Sequence, residues 1–102
     1  MVAISLKHQE IARLCKQWKI KELALFGSVL RDDFRPDSDV DVLVTFAEKV
    51  SFSLFDHQRL KEDLEETFGR RIDLITRRGL DRSRNERRRE VILESAERIY
   101  VS

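Results

Sequence analysis

Two aspartates separated by one residue, Asp39 and Asp41, lie twelve and fourteen positions after Gly27. The segment 39–46 has the composition of a short strand, so its side chains alternate between two faces. Both aspartates then project from one face, with their Cα atoms about 6 to 7 Å apart. Carboxylates this close repel each other unless a cation lies between them, and their hard oxygens suit Mg²⁺ or Mn²⁺. The spacing therefore predicts a divalent metal site.

The residues before the aspartates predict a phosphate-binding turn. A short apolar run, Leu23 to Phe26, stops at Gly27, and Ser28 opens a stretch with helical character. Glycine allows close backbone approach, the first N–H groups of a helix are unpaired, and a serine hydroxyl adds a donor for an anion. Two simpler interpretations stay open: Ser28 caps the helix, and Arg31 pairs with the aspartates that follow it instead of a phosphate.

A third carboxylate is available at Asp73, in the sequence RRIDLITRR. Ile72 and Leu74 alternate with Asp73, which predicts a strand with one buried face. If this strand pairs beside the strand of Asp41, three carboxylates converge, and such a triad can bind two metal ions. The alternative is a surface aspartate on an edge strand.

At these residues the chain resembles the minimal nucleotidyltransferases of the DNA polymerase β-like superfamily. Their signature is Gly-Ser, ten residues and Asp-x-Asp, and here Gly27-Ser28, the ten residues 29–38 and Asp39-Val40-Asp41 match it without insertion. The resemblance implies an α/β (α+β) fold of the polymerase β-like type, in which helices flank a small mixed sheet.

The resemblance also implies a role for each site residue. Gly27, Ser28 and Arg31 would bind the nucleoside triphosphate. The aspartates at positions 39 and 41 would bind Mg²⁺ or Mn²⁺, and Asp73 would complete the catalytic triad and help to activate the acceptor hydroxyl.

The acceptor is expected to come from another molecule, because only about thirty residues follow Asp73. Small enzymes of the family that this chain resembles are commonly encoded with a helical HEPN ribonuclease. The resemblance implies an antitoxin that transfers AMP from ATP to a tyrosine of that HEPN toxin, with which it would form a hetero-oligomer. Two alternatives stay open: a non-catalytic module that masks the toxin, and a small-molecule nucleotidyltransferase of the aminoglycoside-modifying type.

Composition sets limits on the class of protein. The 102 residues are expected to form a single domain, 1–102. Charged residues make up 38% of the chain, yet the net charge is only +1. This net charge does not suggest electrostatic binding of long nucleic acids. The single Cys15 excludes an internal disulfide. Neither a signal peptide nor an apolar run of membrane-spanning length is recognisable, so we expect a cytoplasmic protein.

Apolar spacing predicts the element order α-β-α-β-α-β-α. The first helix is expected from about Ser5 to Trp18, with Cys15 and Trp18 in the core. A second helix is expected to begin at a Ser53–Asp56 cap and to end at Gly69. The last is expected to start near Ser83 and to run to the end of the chain, with its inner stripe at Arg88, Val91, Ile92, Ser95, Ala96 and Ile99. His8 and His57 fall on helices away from the acidic motif and are interpreted as surface or boundary residues.

Seven arginines crowd the segment 77–89, which contains only Asp81 and Glu86 as acids. The local excess of five positive charges has two interpretations. One is a solvated helix start balanced by Glu90, Glu94 and Glu97. The other is a docking surface for an acidic partner or, less favoured, for RNA phosphates.

Overall fold

The computed structural model describes residues 7–30, 39–47 and 51–102, with the side chains of Ser28 and Val29 outside the description. The elements along the chain are α1 (His8–Gln17), β1 (Ile20–Phe26), a 3-10 turn (Gly27–Leu30), β2 (Val40–Phe46), α2 (Leu54–Phe68), β3 (Ile72–Thr76), α3 (Arg77–Asp81), α4 (Glu86–Ser95) and β4 (Glu97–Val101).

The four strands form one mixed sheet in the order β3-β2-β1-β4. β1 is antiparallel to both of its neighbours, β2 and β4. β2 and β3 are parallel, and α2 makes the crossover between them. The predicted fold class, a small mixed sheet flanked by helices, is confirmed.

Apolar side chains cover both faces of the sheet. On one face, Val40, Val42 and Val44 of β2 are fully buried in the larger core cluster, which includes residues of α1 and α2. On the other face, Leu43 joins a smaller cluster with residues of β1, Leu80 of α3 and Ile92 of α4. The alternation expected for β2 is therefore present, but its second face is only partly available for charged groups.

The ends of α2 agree with the sequence prediction. The Ser53 side chain accepts a hydrogen bond from the Asp56 backbone N–H, and the Asp56 carboxylate accepts one from the Ser53 backbone. The hydrogen bonds that the Ser53 backbone N–H and hydroxyl donate to the Asp56 carboxylate hold its pKa below the usual value. Gly69 ends the helix in the left-handed conformation, with φ of +69°.

The predicted final helix is wrong after Ser95. The chain instead forms β4, which pairs with β1. The segment ERIYV suits this role because isoleucine, tyrosine and valine favour extended backbone. The helix that does form, α4, begins after an Asn85 cap whose side chain accepts from the Arg88 backbone N–H, and a short helix, α3, precedes the predicted start near Ser83. The predicted element order α-β-α-β-α-β-α therefore lacks the short helix α3 and the strand β4.

The remaining boundaries differ less. The first helix begins at His8, while Ser5 lies outside the described residues. Ile11, Leu14 and Cys15 are buried, as expected from their spacing. In the described part of the chain, no helix has the length and apolar character needed to cross a membrane.

Candidate active site

Gly27 brings the backbone of the first turn against an acidic side chain. Its φ of +76° lies in the left-handed region that favours glycine. A methyl group at this position would overlap the Oδ2 atom of Asp41 and would lie 3.2 Å from its Cγ. Glycine is therefore favoured at position 27 for two reasons: its backbone adopts the left-handed conformation, and it has no side chain to overlap Asp41.

The sheet aligns two of the three predicted carboxylates. Asp41 is directly opposite Asp73 in the parallel β2–β3 pair and opposite Phe26, the last residue of β1, in the antiparallel pair. Aligned residues on neighbouring strands project from the same face, and the strands are about 4.8 Å apart. Asp41 therefore lies between the Gly27 turn and Asp73. The predicted pairing of the two aspartate strands is confirmed.

Asp39 comes immediately before β2 and is exposed. It precedes Asp41 by two residues, so strand alternation places it toward the same face. Asp41 is half-buried and Asp73 is exposed. We call the end of the sheet that carries Gly27, Asp39, Asp41 and Asp73 the acidic end.

The donor chemistry of the acidic end fits a hard divalent cation. Among the residues that the structure describes, no three His, Cys, Asp or Glu side chains are grouped so as to hold a metal ion. Asp41 and Asp73 are nevertheless in register, their oxygens are of the kind that Mg²⁺ prefers, and the absence of a side chain at Gly27 makes room for the Asp41 carboxylate. The metal triad of Asp39, Asp41 and Asp73 stays a prediction.

Two predicted phosphate ligands fall where the structure gives no side chain. The backbone of Ser28 lies in the 3-10 turn that follows β1, but its hydroxyl is outside the described residues, as is the whole of Arg31. Their nucleotide-binding roles stay predictions. The helical stretch expected after Ser28 is a 3-10 turn as far as Leu30.

A cleft of about 450 Å³ opens beside Gly27 on the side of the sheet that α4 covers. A volume of this size falls within the range of small-molecule pockets. Its lining is formed by the end of β1, the 3-10 turn, the last turns of α4 and the start of β4: Phe26, Gly27, Leu30, Val91, Ile92, Ser95 and Glu97.

The contribution of α4 to this cleft was not foreseen. Val91 and Ser95 were assigned to a buried stripe, but Val91 is 56% exposed and Ser95 is also exposed. The signal was present in the alternating ERIYV pattern that follows. A strand there pairs Glu97 with Leu25, and this pairing brings the end of α4 to the acidic end of the sheet.

The other side chains that could take part in chemistry lie away from the acidic end. Cys15 is fully buried in the core, and burial raises the pKa of its thiol to about 12. Trp18 packs against the core and donates its Nε1–H to Asp63 Oδ2 at 3.0 Å. His8 is exposed on α1, and the Nε2 atom of half-buried His57 is 3.1 Å from the Leu74 carbonyl oxygen. The assignment of these four residues to packing or to the surface is confirmed.

Comparison with known proteins gives consistent matches. A family model described as a nucleotidyltransferase domain matches residues 9–99. A candidate protein adenylyltransferase of Methanocaldococcus jannaschii is 36% identical over 74 residues, which make up 72% of each chain. Protein adenylyltransferase MntA of Thermococcus cleftensis is 39% identical over 67 residues, or 66% of each chain.

Solved structures match over most of the chain. The structure of a candidate minimal nucleotidyltransferase has a TM-score of 0.69 at 38% identity, and the match covers 89% of this chain and 87% of the other. A likeness in fold alone is found with a complex of the tri-AMPylated Shewanella oneidensis HEPN toxin and an MNT antitoxin. There the TM-score is 0.63 at 18% identity, and the match covers 93% of this chain and 70% of that chain.

Proposed function

This chain belongs to the nucleotidyltransferase domain family and is a nucleotidyltransferase, and we propose that it is an antitoxin that transfers AMP from ATP to a tyrosine of a HEPN-domain toxin. The observation that carries the proposal is the arrangement at the acidic end. The Gly27 backbone lies against the Asp41 carboxylate, which is itself in register with Asp73.

The names of the related proteins support the choice of acceptor. The Thermococcus cleftensis relative is named a protein adenylyltransferase. The Shewanella oneidensis complex pairs an MNT antitoxin with a HEPN toxin that carries three AMP groups.

The residues of the acidic end have different roles in the transfer. Asp39, Asp41 and Asp73 would hold Mg²⁺, or Mn²⁺ in its place, which would supply positive charge to neutralise the triphosphate. The N–H groups of the turn that begins at Gly27, with the Ser28 hydroxyl, bind the β and γ phosphates.

Asp73 takes the proton of the tyrosine hydroxyl as that oxygen attacks the α phosphorus. A new P–O bond forms to the tyrosine oxygen, and the bond from the α phosphorus to the bridging oxygen breaks, so that pyrophosphate leaves with the bond electrons. Positioning and charge neutralisation supply most of the rate in transfers of this type.

Intact mass spectrometry tests the transfer. The cognate HEPN-domain toxin that the proposal requires, incubated with ATP, Mg²⁺ and the wild-type chain, is expected to gain the mass of one or more AMP groups. Asp39→Asn combined with Asp41→Asn should abolish the gain, whereas Glu66→Gln, which removes an exposed carboxylate on α2, should not. If the toxin stays unmodified but is inhibited by wild type and double variant alike, the chain masks its partner and the enzymatic proposal fails.

Calorimetry tests the role of the metal. ATP should bind much more weakly without Mg²⁺ than with it, because the carboxylates repel the triphosphate until a cation neutralises them. The gain from Mg²⁺ should disappear in the double variant. Equal ATP affinity in both conditions would exclude a metal-bridged site.

A further inference from the structure

The arginines that follow β3 are mostly unpaired. Of the seven between positions 77 and 89, Arg77 is the one with a carboxylate partner among the described residues, its Nε lying 3.0 Å from Asp81 Oδ1. Arg89 donates to the backbone carbonyls of Asp81 and Ser83. The other five are exposed on α3, on α4 and between them: Arg78, Arg82, Arg84, Arg87 and Arg88. We call these five the arginine surface.

In the described structure, the interpretation in which three glutamates balance these arginines is not supported by close ion pairs at two of the three. Neither Glu90 nor Glu94, one and two turns further along α4, makes an ion pair with the arginine surface. The segment 77–89, with seven arginines and two acids, therefore presents a net positive charge to solvent.

Two large apolar side chains are exposed near one end of this surface. Leu54 and Phe55, the first residues of α2, are 90% and 85% exposed. They directly follow Phe52 and Ser53. Phe52 shares the lining of a cavity of about 550 Å³ with Arg78 and Arg82. Aromatic residues and arginine are the types enriched in the centres of protein interfaces.

The arginine surface leads toward the acidic end of the sheet. α3 starts where β3 ends, at the opposite end of that strand from Asp73. α4 then carries the chain back over about 15 Å, from the arginines at its start to Val91 and Ser95 in the cleft beside Gly27. A protein that contacts α3 and α4 along this path would therefore have part of its surface at the acidic end.

We propose that the arginine surface, together with Leu54 and Phe55, is the docking surface for the acceptor protein, and that the acceptor presents a complementary acidic surface. The inference rests on the proposed function, since it assigns the acceptor of that reaction to a face of the molecule. The exposed leucine favours a protein over nucleic acid, because an aliphatic side chain has little to bind on a phosphate backbone. The net charge of only +1 points the same way.

Charge reversal tests the docking surface. Arg78→Glu combined with Arg82→Glu is compared with Arg13→Glu combined with Lys16→Glu, which reverses two exposed charges on α1 and changes the net charge equally. Affinity for the HEPN-domain protein is measured by calorimetry at two salt concentrations. The α3 double variant should bind roughly tenfold more weakly or worse and lose most of the salt dependence. The α1 variant should bind within about twofold of wild type. Equal losses in both variants, or no loss in either, would overturn the proposal.

The apolar part is tested separately. Leu54→Ser combined with Phe55→Ser should also weaken binding at least several-fold without loss of salt dependence, because it removes contact area and no charge. In all variants ATP affinity in Mg²⁺ should equal that of wild type, which shows that the acidic end is intact. Unchanged affinity of the apolar variant for the HEPN-domain protein would exclude these two residues and contradict the proposal as stated.

Nucleic acid is the competing occupant. Fluorescence anisotropy with a labelled single-stranded RNA of about twelve nucleotides should show no binding that depends on Arg78 and Arg82. RNA binding that is lost in the α3 variant, while affinity for the HEPN-domain protein is retained, would overturn the proposal. If wild type modifies its partner but the variants bind normally, only the docking inference fails. If wild type neither binds nor modifies the HEPN-domain protein, the proposed function and the docking inference both fail.

Discussion

Replacement of Gly27 by alanine isolates the close approach between the first turn and Asp41. A matched control exists in Gly69→Ala at the end of α2. Both glycines have left-handed backbones, with φ of +76° and +69°. A methyl group at Gly69 would meet nothing within 4 Å, whereas one at Gly27 would overlap the Asp41 carboxylate. The two variants therefore share the backbone strain, and only one of them disturbs the acidic end.

The expected stability losses of the two variants are similar. An alanine held in the left-handed region costs about 1 to 2 kcal/mol, and this cost applies at both positions. The additional overlap at Gly27 falls on the terminal atoms of the half-buried Asp41 side chain, which can rotate more readily than backbone can shift. For a domain of this length, each kcal/mol lowers the melting temperature by roughly 4 to 8 °C.

The functional losses should differ strongly. Rotation of the Asp41 carboxylate moves one metal ligand by an ångström or more, and a misplacement of about 1 Å in a catalytic site can reduce the rate by about a hundredfold. Gly27→Ala should therefore lose roughly this factor in AMP transfer, together with Mg²⁺-dependent ATP affinity. Gly69→Ala should keep both.

Urea unfolding, calorimetry with ATP and Mg²⁺, and the mass-spectrometric transfer assay provide the three measurements. The reasoning is refuted if Gly27→Ala transfers AMP as fast as Gly69→Ala, because the close approach would then have no part in the reaction. If both variants lose activity equally, the loss reflects general destabilisation and not the position of Asp41.

Four further outcomes are expected. Burial raises the pKa of the Cys15 thiol from 9.0 to about 12. A thiol reagent at pH 8 should therefore label the native protein far more slowly than the urea-unfolded chain. Rapid labelling of the native protein would contradict the burial of Cys15. Because the unfolded chain releases this proton at lower pH than the folded one, the contribution of Cys15 to stability should be constant below pH 9.0 and decline as the pH rises above it. Trp18→Phe removes the 3.0 Å hydrogen bond to Asp63. The free energy of unfolding, measured with urea, should fall by about 1 to 2 kcal/mol. An unchanged free energy of unfolding would mean that water replaces the indole N–H. Ser28→Ala should weaken Mg²⁺-dependent ATP binding by about 1.5 to 3 kcal/mol with an unchanged melting temperature, whereas the opposite pattern would identify a helix cap.

The acidic end could be predicted from sequence because its chemistry is encoded locally. Gly27 and the alternation around Asp41 each depend on a few neighbouring residues, and so does the strand of Asp73. The only non-local step was the pairing of the two aspartate strands, which the parallel register of Asp41 with Asp73 confirms. Local caps such as Ser53 with Asp56 were predictable for the same reason.

The C-terminal part could not be predicted in the same way. Ile92, Ala96 and Ile99 have helical spacing, which continues past Ser95 and masks the weaker strand pattern of ERIYV. The extended conformation of β4 is stabilised by pairing with β1, whose residues are distant in sequence. The position of Val91 and Ser95 beside Gly27 follows from that pairing and was missed together with it.

The pairing of β1 with β4 also has a consequence for folding. β1 is one of the two central strands, yet its partners in β4 are more than 70 positions away along the chain. Contacts of such long range slow folding, because a large loop must close before they form. While the chain is being synthesised, β2 can pair with one side of β1, but the other side of this apolar strand keeps open hydrogen-bonding groups until β4 emerges from the ribosome. Exposed strand edges of this kind are the sites at which partly folded chains associate. We therefore expect the nascent protein to be most prone to aggregation just before its last strand is added.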